Sequence, residues 1–297
     1  MRAVRGLLIS VRPRQWVKNL LVLVAPAAAG QVTNSAVLGH TLTAFAAFTI
    51  GASGLYLIND IVDAPSDRLH PTKSRRPIAA GAVSARHAGL FAGVLLLGAL
   101  WLSSPWGAGN TSLLVVLGIY LAVSLAYSAG VKRLPVIEFC VVASGFFLRA
   151  LAGATASDLF VSNWFLTVTA FAALFIVIGK RTAEISELKS SAGAHRHVLS
   201  DYTPDFLRAS LTLTATVVVT TYCLWAFDVS DTGLSNVHHL VVPIRLTVVP
   251  VVIAILHILQ RLERGDGGAP EDLVLTDRTL QILGALWIAL FLIGIHG

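Results

Sequence analysis

Residues 57–81 read LINDIVDAPSDRLHPTKSRRPIAAG. Asn59, Asp60, Asp63 and Asp67 come directly off a long apolar run, and the cations Lys73, Arg75 and Arg76 follow them. Asn59, Asp63 and Asp67 are spaced by four. On a continuing helix that spacing stacks them on one face, with about 6 Å of axial rise between neighbours. Asp60 stands one step round. Anions this close repel one another unless a cation holds them. Mg²⁺ is a hard ion that takes one or two carboxylates and completes its shell with water and substrate phosphates. The trio therefore reads as a Mg²⁺ platform for a diphosphate, with Lys73, Arg75 and Arg76 contacting phosphate oxygens. The bland alternative is an acidic helix end, but acids at a helix C-terminus oppose the helix dipole. Pro65 is expected to end or kink the helix, which would leave Asp67 on a turn.

Other polar groups recur in segments with the same charge character. RPRQWVKN supplies Arg12, Arg14, Gln15 and Lys18. AYSAGVKRLPVIE supplies Tyr127, Ser128, Lys132 and Arg133, and IGKRTAEISELK supplies Lys180, Arg181 and Glu184. As isolated ion pairs such groups contribute little; their gathering on one membrane face is the stronger signal. Arg149 lies deep in the apolar run SGFFLRALAGATA. A charge there costs several kcal/mol unless paired or hydrated, so it faces the interior, either as a tie to an internal carboxylate or as a substrate group. Gly145, Ala150, Ala152, Gly153 and Ala154 around it allow close helix approach. DYTPD (Asp201 to Asp205) repeats a spacing of four, and His195 and His197 read as loop residues.

These groups need elements to position them, and composition says which. The chain of 297 residues is 55% hydrophobic and 13% charged, with mean hydropathy +0.75, whereas soluble proteins carry about 25% charged residues. Nine apolar segments approach the roughly 20 residues a span requires: 16–33, 35–58, 84–103, 109–128, 134–156, 160–179, 206–227, 241–260 and 275–296. Of the 22 Lys and Arg, 20 fall before residue 19 or in 68–86, 132–133, 180–208 and 261–278. If the segments alternate, these all lie on one side, which the positive-inside rule makes cytoplasmic, with the N-terminus there as well. The net charge of +6 thus reflects topology and not nucleic-acid binding. Cys140 and Cys223 sit inside spans without metal spacing and read as small apolar fillers.

NDIVDAPSD resembles the N-D-x-x-D-x-x-x-D signature of the UbiA-type intramembrane prenyltransferase superfamily, and the likeness of segment pattern extends over nearly the whole chain. The resemblance implies an all-α, polytopic fold: one domain over 1–297, nine transmembrane helices around a central cavity open to the cytoplasmic side. It further implies Mg²⁺ on Asn59, Asp63 and Asp67. Where prenyl-transferring members usually carry a second Asp-rich motif, this chain has the basic GKRTAEISELK. With RPRQWVKN and YSAGVK, that looks most like the phosphoribosyl-transferring branch, whose donor is phosphoribosyl diphosphate (PRPP) and whose acceptor is a polyprenyl phosphate. Three phosphate groups also need more cations than one prenyl diphosphate does.

On that likeness Asp60, Asp63 and Lys180 are expected to be catalytic. Lys73, Arg75 and Arg76 would hold the diphosphate, while Lys18, Lys132, Lys180 and Arg181 share the 5-phosphate and the lipid phosphate. Tyr56, Tyr127, Arg149 and Glu184 complete the expected substrate contacts. The alternative within enzymes is Mg-dependent transfer of a polyprenyl group to an aromatic acceptor. A transporter would scatter buried charge over several spans, and an inert lipid scaffold has no use for clustered anions. Expected partners are the two substrates and membrane lipids, in a form compatible with a homo-oligomer. The Arg- and Ala-rich usage suits a GC-rich bacterium, whose plasma membrane would hold the protein for a step in cell-wall arabinan precursor synthesis.

Overall fold

The acid cluster rides on the longest helix among the described residues. The computed structural model describes residues 2–190, 201–231, 241–264, 273–274 and 276–296. Its helices are α1 (Arg2–Ser10), α2 (Val24–Ala28), α3 (Ser35–Asp67), α4 (Ala85–Ser103), α5 (Thr111–Ala129), α6 (Ile137–Ala156), α7 (Asn163–Ser190), α8 (Pro204–Asp231), α9 (Val241–Leu246), α10 (Val248–Arg264) and α11 (Arg278–His296). No strand occurs among the described residues. His195 and His197, with the rest of residues 191–200, and residues 232–240 and 265–272 lie outside them.

At 33 residues, α3 is about 50 Å long, well beyond the roughly 30 Å of hydrocarbon. The acids occupy its last three turns. Pro65 does not end the helix, contrary to expectation, and Asp67 closes it instead of standing on a turn. So near the C-terminus the ring disturbs only the final turn, and Arg68 N still donates to Ala64 O at 3.2 Å.

Among the described residues seven helices are long and apolar enough to cross a membrane: Ser35–Asp67, Ala85–Ser103, Thr111–Ala129, Ile137–Ala156, Asn163–Ile185, Pro204–Asp228 and Val242–Arg264. Arg278–Gly294 is a shorter apolar helix. The first expected span is no regular α-helix: Pro13–Leu23 winds as a 3₁₀ helix and is followed by the five residues of α2. Lipid-facing stripes accompany the long helices. On α4, Leu90, Val94, Leu97 and Trp101 are exposed at helical spacing, as a surface solvated by acyl chains requires. Cys140 is exposed and Cys223 half-buried, so Cys140 is not the core filler expected of it. The chain is a multi-pass membrane protein.

Packing divides it into two compact units, Met1–Lys132 with Leu148–Phe160, and Arg133–Phe147 with Val161–Gly297. In the first, α3 packs along α4 through small residues. Ala88, Ala92 and Ala99 are buried, and a Cβ on Gly54 would stand 3.0 Å from Leu96 and 3.2 Å from the Ala92 carbonyl. Close approach of this kind stands in for the hydrophobic drive that lipid removes. Side chains also close the helix ends, because an unpaired backbone group at the membrane is costly. Asn34 caps α3 and Ser84 caps α4. Asn110 does double duty: its oxygen accepts from Leu113 N at 2.7 Å, while its amide donates to Thr155 O and Ala156 O at the end of α6.

The second unit has its own core, in which Phe139, Phe175, Ile178, Leu207 and Leu211 are buried. Tyr202 stacks on Phe139, and its hydroxyl accepts from Val136 N at 2.8 Å.

Candidate active site

All the strongest polar contacts of α3 lie in its last three turns. At about 100° per residue, four-residue steps drift by about 40°. Asn59, Asp63 and Asp67 therefore fan across the helix surface, and Asp67 comes within about 20° of Asp60. The side chains pair accordingly. Asn59 accepts from Ser128 Oγ, and Asp63 accepts from Lys132 Nζ at 2.7 Å. Asp60, 3% exposed, receives Arg12 Nη2 at 2.5 Å and Arg76 Nη1 at 3.3 Å. The same Arg76 nitrogen reaches Asp67 at 2.7 Å. The Arg12 guanidinium lies over the Tyr56 ring, 5.1 Å from its centroid.

Three carboxylates thus meet three cations, and the cluster is neutral. The pairing also answers the dipole problem, since cations brought from other segments compensate the acids at the negative end of α3. The sequence expectation of one trio sharing one face becomes two sub-clusters. Asn59 and Asp63 face the end of α5, whereas Asp60 and Asp67 face Arg12 and Arg76.

The remaining expected residues are placed as follows. Lys73 and Arg75 sit on a short 3₁₀ turn, Lys73–Arg75, that precedes Arg76. Lys18 is exposed on the 3₁₀ segment and Tyr127 is half-buried near the end of α5. Arg149 is buried and donates to Asn19 Oδ1 at 2.7 Å and to Tyr120 OH at 2.8 Å. These two partners are neutral oxygens, whereas the sequence left open a tie to an internal carboxylate or a substrate contact.

Lys180, Arg181 and Glu184 belong to the second unit. Arg181 grips Glu138 with two parallel bonds, Nε to Oε1 at 2.8 Å and Nη2 to Oε2 at 3.0 Å, and gives Nη1 to Glu184 at 2.6 Å. Arg181 therefore stands in a buried ionic tie of the second unit, with three of its five N–H groups on carboxylates. Asp205 is exposed and paired with Arg208, and among the described residues no acidic centre gathers at DYTPD.

Sequence reading missed three partners: Arg12 on Asp60, Ser128 on Asn59, and Asn19 under Arg149. Arg12 carried one local sign. It precedes Pro13, where extended backbone is preferred, yet it is left-handed at φ 52°, ψ 63°. Strain of this kind concentrates at functional sites.

Among the described residues no three acidic, His or Cys side chains gather into a metal cage. That suits Mg²⁺, which binds through one or two carboxylates plus substrate phosphates and not in an all-protein cage. Asn59 and Asp63 in one sub-cluster and Asp67 in the other offer hard oxygens of the kind such an ion takes, so the donor chemistry fits it although the three do not share one face.

Residues 20–294 match the UbiA prenyltransferase family. The chain is 40% identical over 293 residues to a decaprenyl-phosphate phosphoribosyltransferase of Corynebacterium glutamicum, covering 98% of this chain and 87% of the relative. It is 43% identical over 293 residues to the enzyme of that name from Mycobacterium tuberculosis, covering 96% and 93%. Among solved structures, a UbiA homologue from Archaeoglobus fulgidus bound to DMAPP and Mg²⁺ superposes with TM-score 0.70 at 20% identity, over 98% of this chain and 99% of that one. The last likeness speaks to the fold alone.

Proposed function

The chain belongs to the UbiA prenyltransferase family, and from that premise we propose that it transfers the 5-phosphoribosyl group of PRPP to decaprenyl phosphate, releasing diphosphate. The observation that carries this is identity of about two residues in five, end to end, with enzymes named for that transfer. Three cations standing at the acid cluster support it, since this chemistry handles three phosphate groups.

In the proposed reaction a phosphate oxygen of the lipid attacks the anomeric carbon of PRPP. A carbon–oxygen bond to the lipid forms, and the bond to diphosphate breaks with its electron pair leaving on the diphosphate. The attacking phosphate is already ionised, so no strong general base is needed. Catalysis is orientation plus charge stabilisation. Asn59, Asp63 and Asp67 would hold Mg²⁺, which supplies charge neutralisation of the departing diphosphate. Lys132 and Arg76, which stand on Asp63 and Asp67, would donate to phosphate oxygens. Asp60 stays buried and keeps Arg12 oriented, and Lys73 and Arg75 add cationic character at the rim.

Nine crossings follow if Pro13–Ala28 spans: eleven 3₁₀ residues and five α residues rise about 30 Å, the thickness of the hydrocarbon. The positive-inside pattern supports a cytoplasmic N-terminus and a cytoplasmic acid cluster in a bacterial plasma membrane, where the water-soluble donor is made. The unbroken family match over 20–294 supports one catalytic domain, and the relatives' substrate supports a role in arabinan precursor synthesis.

The test is to incubate purified protein with Mg²⁺, labelled PRPP and decaprenyl phosphate and to follow label into the lipid phase. Transfer that disappears on chelation is the expected result. Inert PRPP, together with turnover of a prenyl diphosphate onto an aromatic acid, would overturn the proposal in favour of prenyl transfer.

A further inference from the structure

Pro13–Leu23 stays in 3₁₀ geometry for eleven residues, whereas such runs usually stop after three or four. Side chains three apart eclipse in this helix, so Trp16, Asn19 and Val22 share one face. That face lies against α3. Trp16 Nε1 donates to Ser53 Oγ at 3.2 Å, and Asn19 Nδ2 donates to Thr49 Oγ1 at 3.0 Å. Arg12, the residue capping the segment, reaches Asp60.

The spacing of these contacts explains the winding. Thr49 and Asp60 lie about 16.5 Å apart along α3. Arg12 and Asn19 must bridge that interval from the facing segment. In a 3₁₀ helix seven steps rise about 14 Å, and in an α-helix only about 10.5 Å. Rewinding to α would therefore withdraw Arg12 from Asp60 by about 3.5 Å.

The 3₁₀ form has the poorer hydrogen bonds, so something must hold it, and α6 does so at two points one turn apart. Arg149, 6% exposed, bonds Asn19 and Tyr120, with its guanidinium 4.7 Å from the Tyr120 ring centroid. Gly153 admits the backbone of Val22, where a Cβ would stand 1.7 Å from the Val22 carbonyl oxygen. Arg149 and Gly153 are four apart on α6; Asn19 and Val22 are three apart on the 3₁₀ helix. The two surfaces meet turn for turn.

We infer that Arg149 and Gly153 form a two-point clamp that fixes the stretched register of residues 13–23 and so sets the Arg12 guanidinium on Asp60 and Tyr56. Arg149 is then a positioning residue that acts through Asn19, and not a phosphate ligand. Only the kinetic consequence rests on the proposed phosphoribosyl transfer; the clamp itself does not.

Two measurements on the full chain in detergent test it. Hydrogen exchange of peptides covering 13–23 should accelerate by roughly tenfold or more in Arg149→Gln and Gly153→Ala, with α4 unchanged. In the transfer assay, kcat/KM for PRPP should fall on the order of a hundredfold in Arg149→Gln, while KM for the lipid stays within about twofold. The double variant Arg149→Gln/Arg12→Gln should lose no more than Arg12→Gln alone, because both remove the same contact. Unchanged exchange, or losses that simply add, would overturn the clamp. Arg149→Lys keeps the charge without the fork and gives the same readouts in milder form should the glutamine variant fail to fold. A wild-type protein inert toward PRPP would sink the proposed function while leaving the exchange result to decide the clamp.

Discussion

Arg76 serves two carboxylates at once, and removing it separates stability from substrate binding. In Arg76→Gln, Asp67 loses its 2.7 Å partner and Asp60 keeps only Arg12. A buried charge-assisted bond contributes about 1.5–3 kcal/mol. The Arg76 side chain is 29% exposed against 3% and 5% for the two acids, so water screens both bonds, and about 1–2 kcal/mol for the pair is the appropriate scale. For a chain of this size that lowers Tm by about 2–8 °C.

The effect on binding should be larger and should split by ligand. The cluster passes from neutral to one net negative charge. If Arg76 donates to PRPP, one charge-assisted phosphate contact is lost, which raises KM for PRPP roughly 10- to 150-fold. The half-saturating Mg²⁺ concentration should move the other way, because Asp67 is uncovered. Arg76→Lys restores the charge but not the fork, so it should recover the Mg²⁺ behaviour and only part of the PRPP affinity. The assay is a PRPP titration at saturating lipid, repeated across Mg²⁺ concentrations. A KM for PRPP within twofold of wild type, alongside the fall in Tm, would refute the phosphate role and leave Arg76 as a tie between acids.

Asp63→Asn should reduce transfer at least a hundredfold with little change in Tm, since the Lys132–Asp63 pair is about one-third exposed and surface pairs contribute under about 1 kcal/mol; retained transfer of labelled PRPP would remove Asp63 from the metal set. Arg181→Met strands Glu138, which is buried, at about 3–5 kcal/mol. Its monodisperse yield by size-exclusion chromatography should collapse and partly recover in Arg181→Met/Glu138→Leu. Asp277 accepts from His257 Nε2 at 3.0 Å, and that bond holds its carboxyl below the ordinary value near 3.8. A depressed carboxyl stabilises the fold above its ordinary pKa and loses that contribution as pH falls through the folded value. Acid should therefore lower the wild-type Tm below about pH 4 more steeply than that of Asp277→Asn.

The membrane class, the long apolar helices and the acidic run were readable because each depends on composition or on spacing within a few turns. What escaped was pairing across distance. Arg12 finds Asp60 over 48 positions, Lys132 finds Asp63 over 69 and Arg149 finds Asn19 over 130. No local pattern encodes such contacts. Hydropathy also cannot tell a 3₁₀ segment from an α-helix, which is why residues 16–33 read as an ordinary span. Pro65 misled for a different reason: a rule about helix interiors was applied where only the last turn remained. Arg181 likewise finds Glu138 over 43 positions.

The length of α3 has a consequence for how two mutually insoluble reactants would meet. If that stiff rod stands with its charged tip past the oily layer, a dissolved sugar phosphate would never be dragged into grease. The acceptor would keep its tail among the acyl chains and lift only its head group. Neither compound would then change phase, and the chemistry would run along the seam between them.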